Sequence, residues 1–180
     1  MTISKNFGII SKLKHFVPRY ILHSLYCTLI LPYVNYGILA WGNTCKTYLD
    51  QILKIQKRAV RNICRTNYRH PSKPLFLDLK ILNVYDTYKL EMGAFMYRHS
   101  NKDLPATFRD YFSKRQEIHD YGTRNNHDYN LMKNKTKFAS RGVRTSGPFT
   151  WNNLPENVKN AASIKIFRQK LKTYLLESMI

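Results

Sequence analysis

The run "YILHSLYCTLILPYVNYGILAWGN", from Tyr20 to Asn43, contains no Lys, Arg, Asp or Glu. A helix that crosses a bilayer needs ~20 mostly apolar residues, so the run is long enough to span one. A helix apolar on every side is equally expected at the centre of a helical domain. The polar residues decide between the two. His23, Ser24, Thr28 and Asn35 lie inside the run, and His or Asn near mid-bilayer would need a partner. Tyr26, Tyr33 and Tyr36 are also internal, whereas tyrosines of a spanning helix gather at its two ends. The run therefore reads as core, and a membrane is set aside as a partner. Pro18 suits a helix start, where its missing N–H is no loss. Pro32 predicts a kink or break, and Gly42 and Asn43 a helix end tolerant of positive φ.

The segment "LDQILKIQKRAVRNICR" follows soon after. At 3.6 residues per turn, Leu49, Ile52, Leu53, Gln56, Val60 and Ile63 fall on one stripe. Lys54, Arg58, Arg61 and Arg65, with Lys57 beside them, cluster on the opposite face. A continuous helix would place Arg65 ~17 Å beyond Lys54, a distance over which several phosphates can be met. The alternative is a solvated outer face. Solvated faces usually mix signs, and here only Asp50 is near, which favours phosphate contact.

The whole chain leans the same way. Against 30 Lys and Arg stand 11 Asp and Glu, a net charge of +19, which points to polyanionic partners, either nucleic acid or an anionic membrane surface. No acidic residue precedes Asp50, and none lies between Asp128 and Glu156. Hydrophobic residues at 43% over 180 positions exclude global disorder and suffice for one domain or two small ones. Cys27, Cys45 and Cys64 match no zinc spacing, and their odd number argues against a secreted disulfide scaffold. They read as thiols in a reducing compartment. The opening "MTISKNFGIISKLKHFV" lacks the sustained apolar core of a signal peptide and predicts an amphipathic helix around 5–15.

Composition changes near Ser113, predicting a helical domain over residues 1–112 and a C-terminal region over 113–180. In the first, Ser72 is a candidate cap for a short helix containing Pro74. Asn83 opens a longer helix with Asp86 in its first turn and Val84, Tyr88, Met92 and Phe95 along one core face. In the second, His119 and His127 fit no metal-ligand spacing, so no metal is assigned. The segment from Tyr129 to Arg144 is expected to form a short β-hairpin bearing Lys133, Lys135, Lys137, Arg141 and Arg144. These cations either face a polyanion or are simply solvated. Ser146 or Gly147 opens a turn of helix that sends Phe149 and Trp151 into the core. Ser163 caps a final helix with Ile164, Phe167, Leu171, Tyr174 and Leu175 on its apolar face. The fold class is mainly α, a multi-helix bundle with a small hairpin and a C-terminal helix.

Six segments in order, "SLYCTLILPYVNYGILAWGN", "LDQILKIQKRAVRNI", "PLFLDLKILNVYDTYKL", "YGTRNN", "GPFTWNNLP" and "FRQKLKTYLL", are spread along nearly the whole chain. In that order they resemble the C-terminal region of non-LTR retrotransposon reverse transcriptases of the Jockey-like group, beyond the polymerase fingers and palm. The resemblance implies a thumb-like helical region followed by a small C-terminal region. It implies RNA template and DNA target or primer as partners, the polymerase palm of a parent protein as a further one, and a nuclear or cytoplasmic location.

A reverse transcriptase needs palm aspartates to hold two metal ions for nucleotidyl transfer. No two acidic residues are adjacent anywhere in this sequence. The expectation is a chain with no catalytic residues and no cofactor, silent as an enzyme on its own. Two functions remain open: a nucleic-acid-binding fragment of the polymerase, or a non-catalytic structural or interaction remnant with no specific ligand.

Overall fold

The computed structural model describes residues 2–118 and 128–179. Every regular element among them is a helix, and no strand forms, so the fold is all-α. The chain divides into two packed units. One runs from the N-terminus to Thr87 and takes in the chain again from Leu175; the other is Tyr88–Tyr174. Both boundaries fall inside helices, whereas the change near Ser113 is one of surface composition.

In the first unit, α1 (Thr2–Leu13) leads through a tight turn to α2 (Arg19–Leu29), entered at Pro18. The uncharged run does not continue as one helix. It breaks into α2, α3 (Leu31–Asn35) and α4 (Ile38–Trp41), of 11, 5 and 4 residues. Pro32 sits in the first turn of α3, where its missing N–H breaks no bond. Gly37, at φ 60°, makes the left-handed link into α4. Gly42 closes α4 as expected, in a right-handed conformation at φ −69°. No helix among the described residues is long and apolar enough to cross a membrane. Leu22, Tyr26, Ile30, Val34 and Ile38, each four apart, are all buried, so one apolar line persists through the breaks.

Helix α5 (Lys46–Ile63) packs against α1 and α2 and buries Leu49, Gln56, Ala59, Val60 and Ile63. Gln56 is the polar member of that stripe, and its amide is fully used. Its Nε2 donates to the Tyr26 hydroxyl (2.9 Å), and its Oε1 accepts the Val84 N–H (2.8 Å). That N–H belongs to the first turn of α7 (Val84–Ser100), where no intrahelical acceptor exists. Burial pushes the Tyr26 phenol up to about 12 from its ordinary 10.0. Asn83 caps α7 as expected, accepting from the N–H groups of Tyr85 (2.9 Å) and Asp86 (3.1 Å). Ser72 does not cap α6 (Lys73–Asp78): its own backbone is already helical (φ −86°, ψ −21°), so its hydroxyl cannot take the capping geometry.

The second unit is built on aromatics. Tyr129 and Trp151 meet edge to face at 6.3 Å, and Trp151 stacks on Phe167 at 6.0 Å. Tyr97 lies 4.6 Å from Phe167, and Phe112 lies 5.9 Å from Tyr129. Two glycines allow the helices to approach. A Cβ on Gly147 would stand 2.8 Å from the Met96 sulfur, and one on Gly93 2.6 Å from Leu171 Cδ2. Neither position has room for a methyl group without repacking.

The expected hairpin from Tyr129 to Arg144 does not form. Lys137–Arg141 is instead a short helix, α8, capped by Thr136, whose hydroxyl accepts the Ala139 N–H (3.2 Å). α9 (Val143–Asn152) follows at once. The segment lacks the apolar alternation that would bury one strand face. Tyr129 pairs elsewhere, in an isolated antiparallel bridge with Lys114. On its other side the Asn152 amide imitates a strand, donating to the Tyr129 carbonyl (2.8 Å) and accepting its N–H (3.0 Å). Helix α9 starts at Val143, earlier than Ser146. It buries Trp151 but leaves Phe149 61% exposed, so Phe149 is not the expected core anchor. After α10 (Glu156–Lys159), α11 (Ile164–Glu177) is capped by Ser163 (3.3 Å). α11 buries Phe167, Leu171 and Leu175, while Tyr174 is exposed.

Candidate nucleic-acid interface

The α5 stripe fixes which side of that helix faces out. Lys54 and Arg58 are exposed there, with Lys57 and Arg61 half-buried beside them. Lys54 and Arg61 are seven residues apart, ~10 Å along the axis. The nearest acid in sequence, Asp50, accepts the Tyr85 hydroxyl (2.8 Å). That carboxylate keeps its charge, but among the described residues no ion pair joins it to a cation of the outer face. Lys54, Lys57 and Arg58 make no ion pair or side-chain hydrogen bond among the described residues.

Arg65 is not on the helical face. Helix α5 ends at Ile63, and Arg65 lies in the following turn at φ 54°, in the left-handed region. Its guanidinium reaches back to the Val17 carbonyl (2.7 Å), just past the end of α1. Arg61 likewise spends its Nε on a carbonyl, that of His70 (2.8 Å). The five cations expected on one stripe thus divide. Lys54 and Arg58 are exposed and Lys57 half-buried, all three without a partner among the described residues, while Arg61 and Arg65 also tie down backbone.

In the second unit the cations stand on an open stretch. Every residue from Leu131 to Gly142 is exposed, including Lys133, Lys135, Lys137 and Arg141. Phe138, among them, is 86% exposed. Arg144 sits with its guanidinium 5.5 Å from the Tyr111 ring centroid. Asn134 Nδ2 donates to the Thr145 hydroxyl (2.7 Å), which tethers the stretch to α9. The two cationic groups belong to different units, and each is a surface in its own right.

Sequence reasoning overlooked the turn after α5, "NYRH". Tyr68, Arg69 and His70 are all exposed, and Arg69 lies 5.8 Å from the Tyr68 ring centroid. The signal was present: an aromatic among cations, flanked by the turn-formers Asn67 and Pro71.

A hollow of about 600 Å³ in the second unit is lined in part by His99, Lys102, Arg109, Lys114 and Tyr129. His99 Nε2 faces the Arg109 carbonyl (3.3 Å), which can only accept, so that nitrogen carries the proton. Nδ1 lies within hydrogen-bond distance of the Tyr129 hydroxyl (2.9 Å). His99 is thereby occupied as a structural link between Arg109 and Tyr129. Burial raises the Tyr129 phenol to about 12. Among the described residues no three His, Cys, Asp or Glu side chains converge as metal ligands. His119 and His127 lie outside the described residues.

Comparison with protein families, curated protein sequences and solved structures finds no match to this chain.

Proposed function

We propose that the chain is a nucleic-acid-binding module: the thumb-like helical and C-terminal part of a non-LTR retrotransposon reverse transcriptase, gripping the template–primer backbone during target-primed reverse transcription. The observation that carries this reading is the outer face of α5. Lys54, Lys57 and Arg58 point away from a buried stripe that fixes the helix rotation, and Asp50 is engaged elsewhere. Such a face offers phosphates several positive charges at nearly fixed spacing. The six ordered segments of resemblance supply the polymerase context.

The test is the salt dependence of binding. Replacing Lys54, Lys57 and Arg58 with Gln keeps helix propensity and touches no buried residue. Each lost phosphate contact flattens the slope of log affinity against log salt by ~0.9 on duplex DNA, so the triple variant should be shallower by about 2–3 units. Sequence preference should not change, since phosphate contacts carry no base information. An unaltered slope would mean this face is only solvated. On the same reading the chain supplies no nucleotidyl-transfer centre. Primer, template, nucleotides and magnesium should yield no extension product, and sustained extension by the pure chain would refute this.

A second reading, a structural or interaction remnant, is favoured by one observation: Phe16, Tyr20 and Tyr36 are large, apolar and well exposed in the first unit. Such a surface suits a protein neighbour, and the polymerase palm of the parent is the natural one. Weak binding with no salt slope, together with self-association through these residues, would support it over the first.

A further inference from the structure

We propose that the turn Asn67–His70 is a stacking site for an unpaired nucleobase, placed at the end of the phosphate-facing helix α5. This proposal rests on the nucleic-acid reading above and narrows its ligand to single-stranded or junction nucleic acid. Three observations lead to it.

The turn is built rather than loose. The His70 N–H donates to the Asn67 carbonyl (3.0 Å), closing a β-turn with Tyr68 and Arg69 at its tip. The His70 carbonyl is held by Arg61 Nε (2.8 Å), which fixes the turn to the last turns of α5. Just upstream, Arg65 is pinned to the Val17 carbonyl, and the Thr66 N–H donates to the Arg61 carbonyl (3.0 Å).

The tip presents a flat ring. Tyr68 is 75% exposed, and the Arg69 guanidinium lies 5.8 Å from its centroid, within cation–π range. A core function for this ring is thereby excluded. Aromatic rings on a basic surface stack with bases irrespective of sequence, because every base has a π-face.

The chain around the turn is basic. No acidic residue occurs between Asp50 and Asp78, and Asp78, which comes near Cys64, is paired with Arg19. Arg65, Arg69 and Lys73 are exposed beside the turn, and Arg61 keeps its two terminal nitrogens for a phosphate while Nε holds His70. A strand whose backbone follows α5 can therefore place a base on Tyr68. A base inside a blunt duplex is already stacked and cannot.

The experiment compares two probes, a short blunt DNA duplex and the same duplex with an unpaired overhang, using the whole chain at one salt concentration. Tyr68→Ala should lose roughly ten- to a hundredfold affinity for the overhang probe, with blunt-duplex affinity and salt slope unchanged. Tyr68→Phe should behave as the parent, and Tyr68→Trp should bind the overhang more tightly, a gain that no folding defect can imitate. Equal loss on both probes, or no loss on the overhang, would overturn the stacking site while leaving the phosphate face of α5 standing. Failure of the parent to bind either probe would overturn both, which separates the two claims.

Discussion

The two units carry positive charge on different supports. In the first, Lys54, Lys57, Arg58 and Arg61 stand on an 18-residue helix whose rotation is set by five buried side chains. In the second, five cations from Lys133 to Arg144 occupy an exposed stretch, a five-residue helix and the first turn of the next. Their cores differ too. The first unit packs aliphatic side chains around one buried glutamine whose amide bridges three helices; the second relies on rings in contact and two glycines where a methyl group would force repacking. A basic sequence by itself does not say whether its charges hold a fixed spacing. The support beneath them does.

The largest effect that can test this contrast is in the aromatic core. Trp151 is buried between Tyr129 and Phe167, so Trp151→Ala should cost about 3–5 kcal/mol in denaturant unfolding. Trp41 is only half-buried, its Nε1 donating to the Tyr36 carbonyl (2.7 Å), and its removal should cost clearly less. Equal costs would erase the distinction between an aromatic core and a polar-tied one.

Next in size is the charge comparison. Lys133, Lys135 and Lys137 changed together to Gln should weaken binding at a fixed salt concentration by less than the α5 triple variant, because ordering an open stretch offsets part of what each contact contributes. A larger change from the second unit would reverse the assignment and make that stretch the main grip.

Gln56→Leu should then cost about 1–3 kcal/mol, since the Val84 N–H loses its acceptor in a buried site. Hydrogen exchange at the start of α7 is the sharper measure, with faster exchange expected there.

The smallest effect concerns pH. Tyr26 and Tyr129, one in each unit, both ionise at about 12 when folded against an ordinary 10.0. Below pH 10 both phenols are neutral in either state, and this contribution to stability is whole. As pH rises from 10 towards 12 the unfolded phenols lose their protons first, so the contribution declines. Alkaline melts should show this decline, and Tyr26→Phe should lessen it.

Local chemistry made much of the fold legible. The 3.6-residue stripe of α5, the Asn83 and Ser163 caps and the break at Pro32 all follow from bonds between near neighbours. What escaped depended on distant ones. Arg65 continues the cationic period in sequence, yet the helix ends before it, and its guanidinium meets a carbonyl 48 residues away. The hairpin failed because Tyr129 found Lys114 and Asn152 as partners, neither within the segment itself. Phe149 is apolar, but the register of α9 is set by Trp151 and by the close approach at Gly147. Of the candidate interface, the α5 cations could be read directly. At Tyr68 the sequence carried the aromatic and the turn-formers, but not where the turn is held, which depends on the carbonyl that Arg61 chooses.

That choice has a further consequence. Arg61 and Arg65 answer to peptide oxygens, which carry no net charge, so folding gathers these arginines without neutralising them. With 30 basic side chains against 11 acidic ones, the folded chain remains under internal repulsion that only mobile ions relieve. Salt then pulls in two directions. It firms the free protein by screening its self-repulsion and, on the proposed nucleic-acid reading, loosens the bound one by competing for phosphates. If that reading holds, the conditions that best preserve this molecule in a tube are those in which it would hold a nucleic acid least.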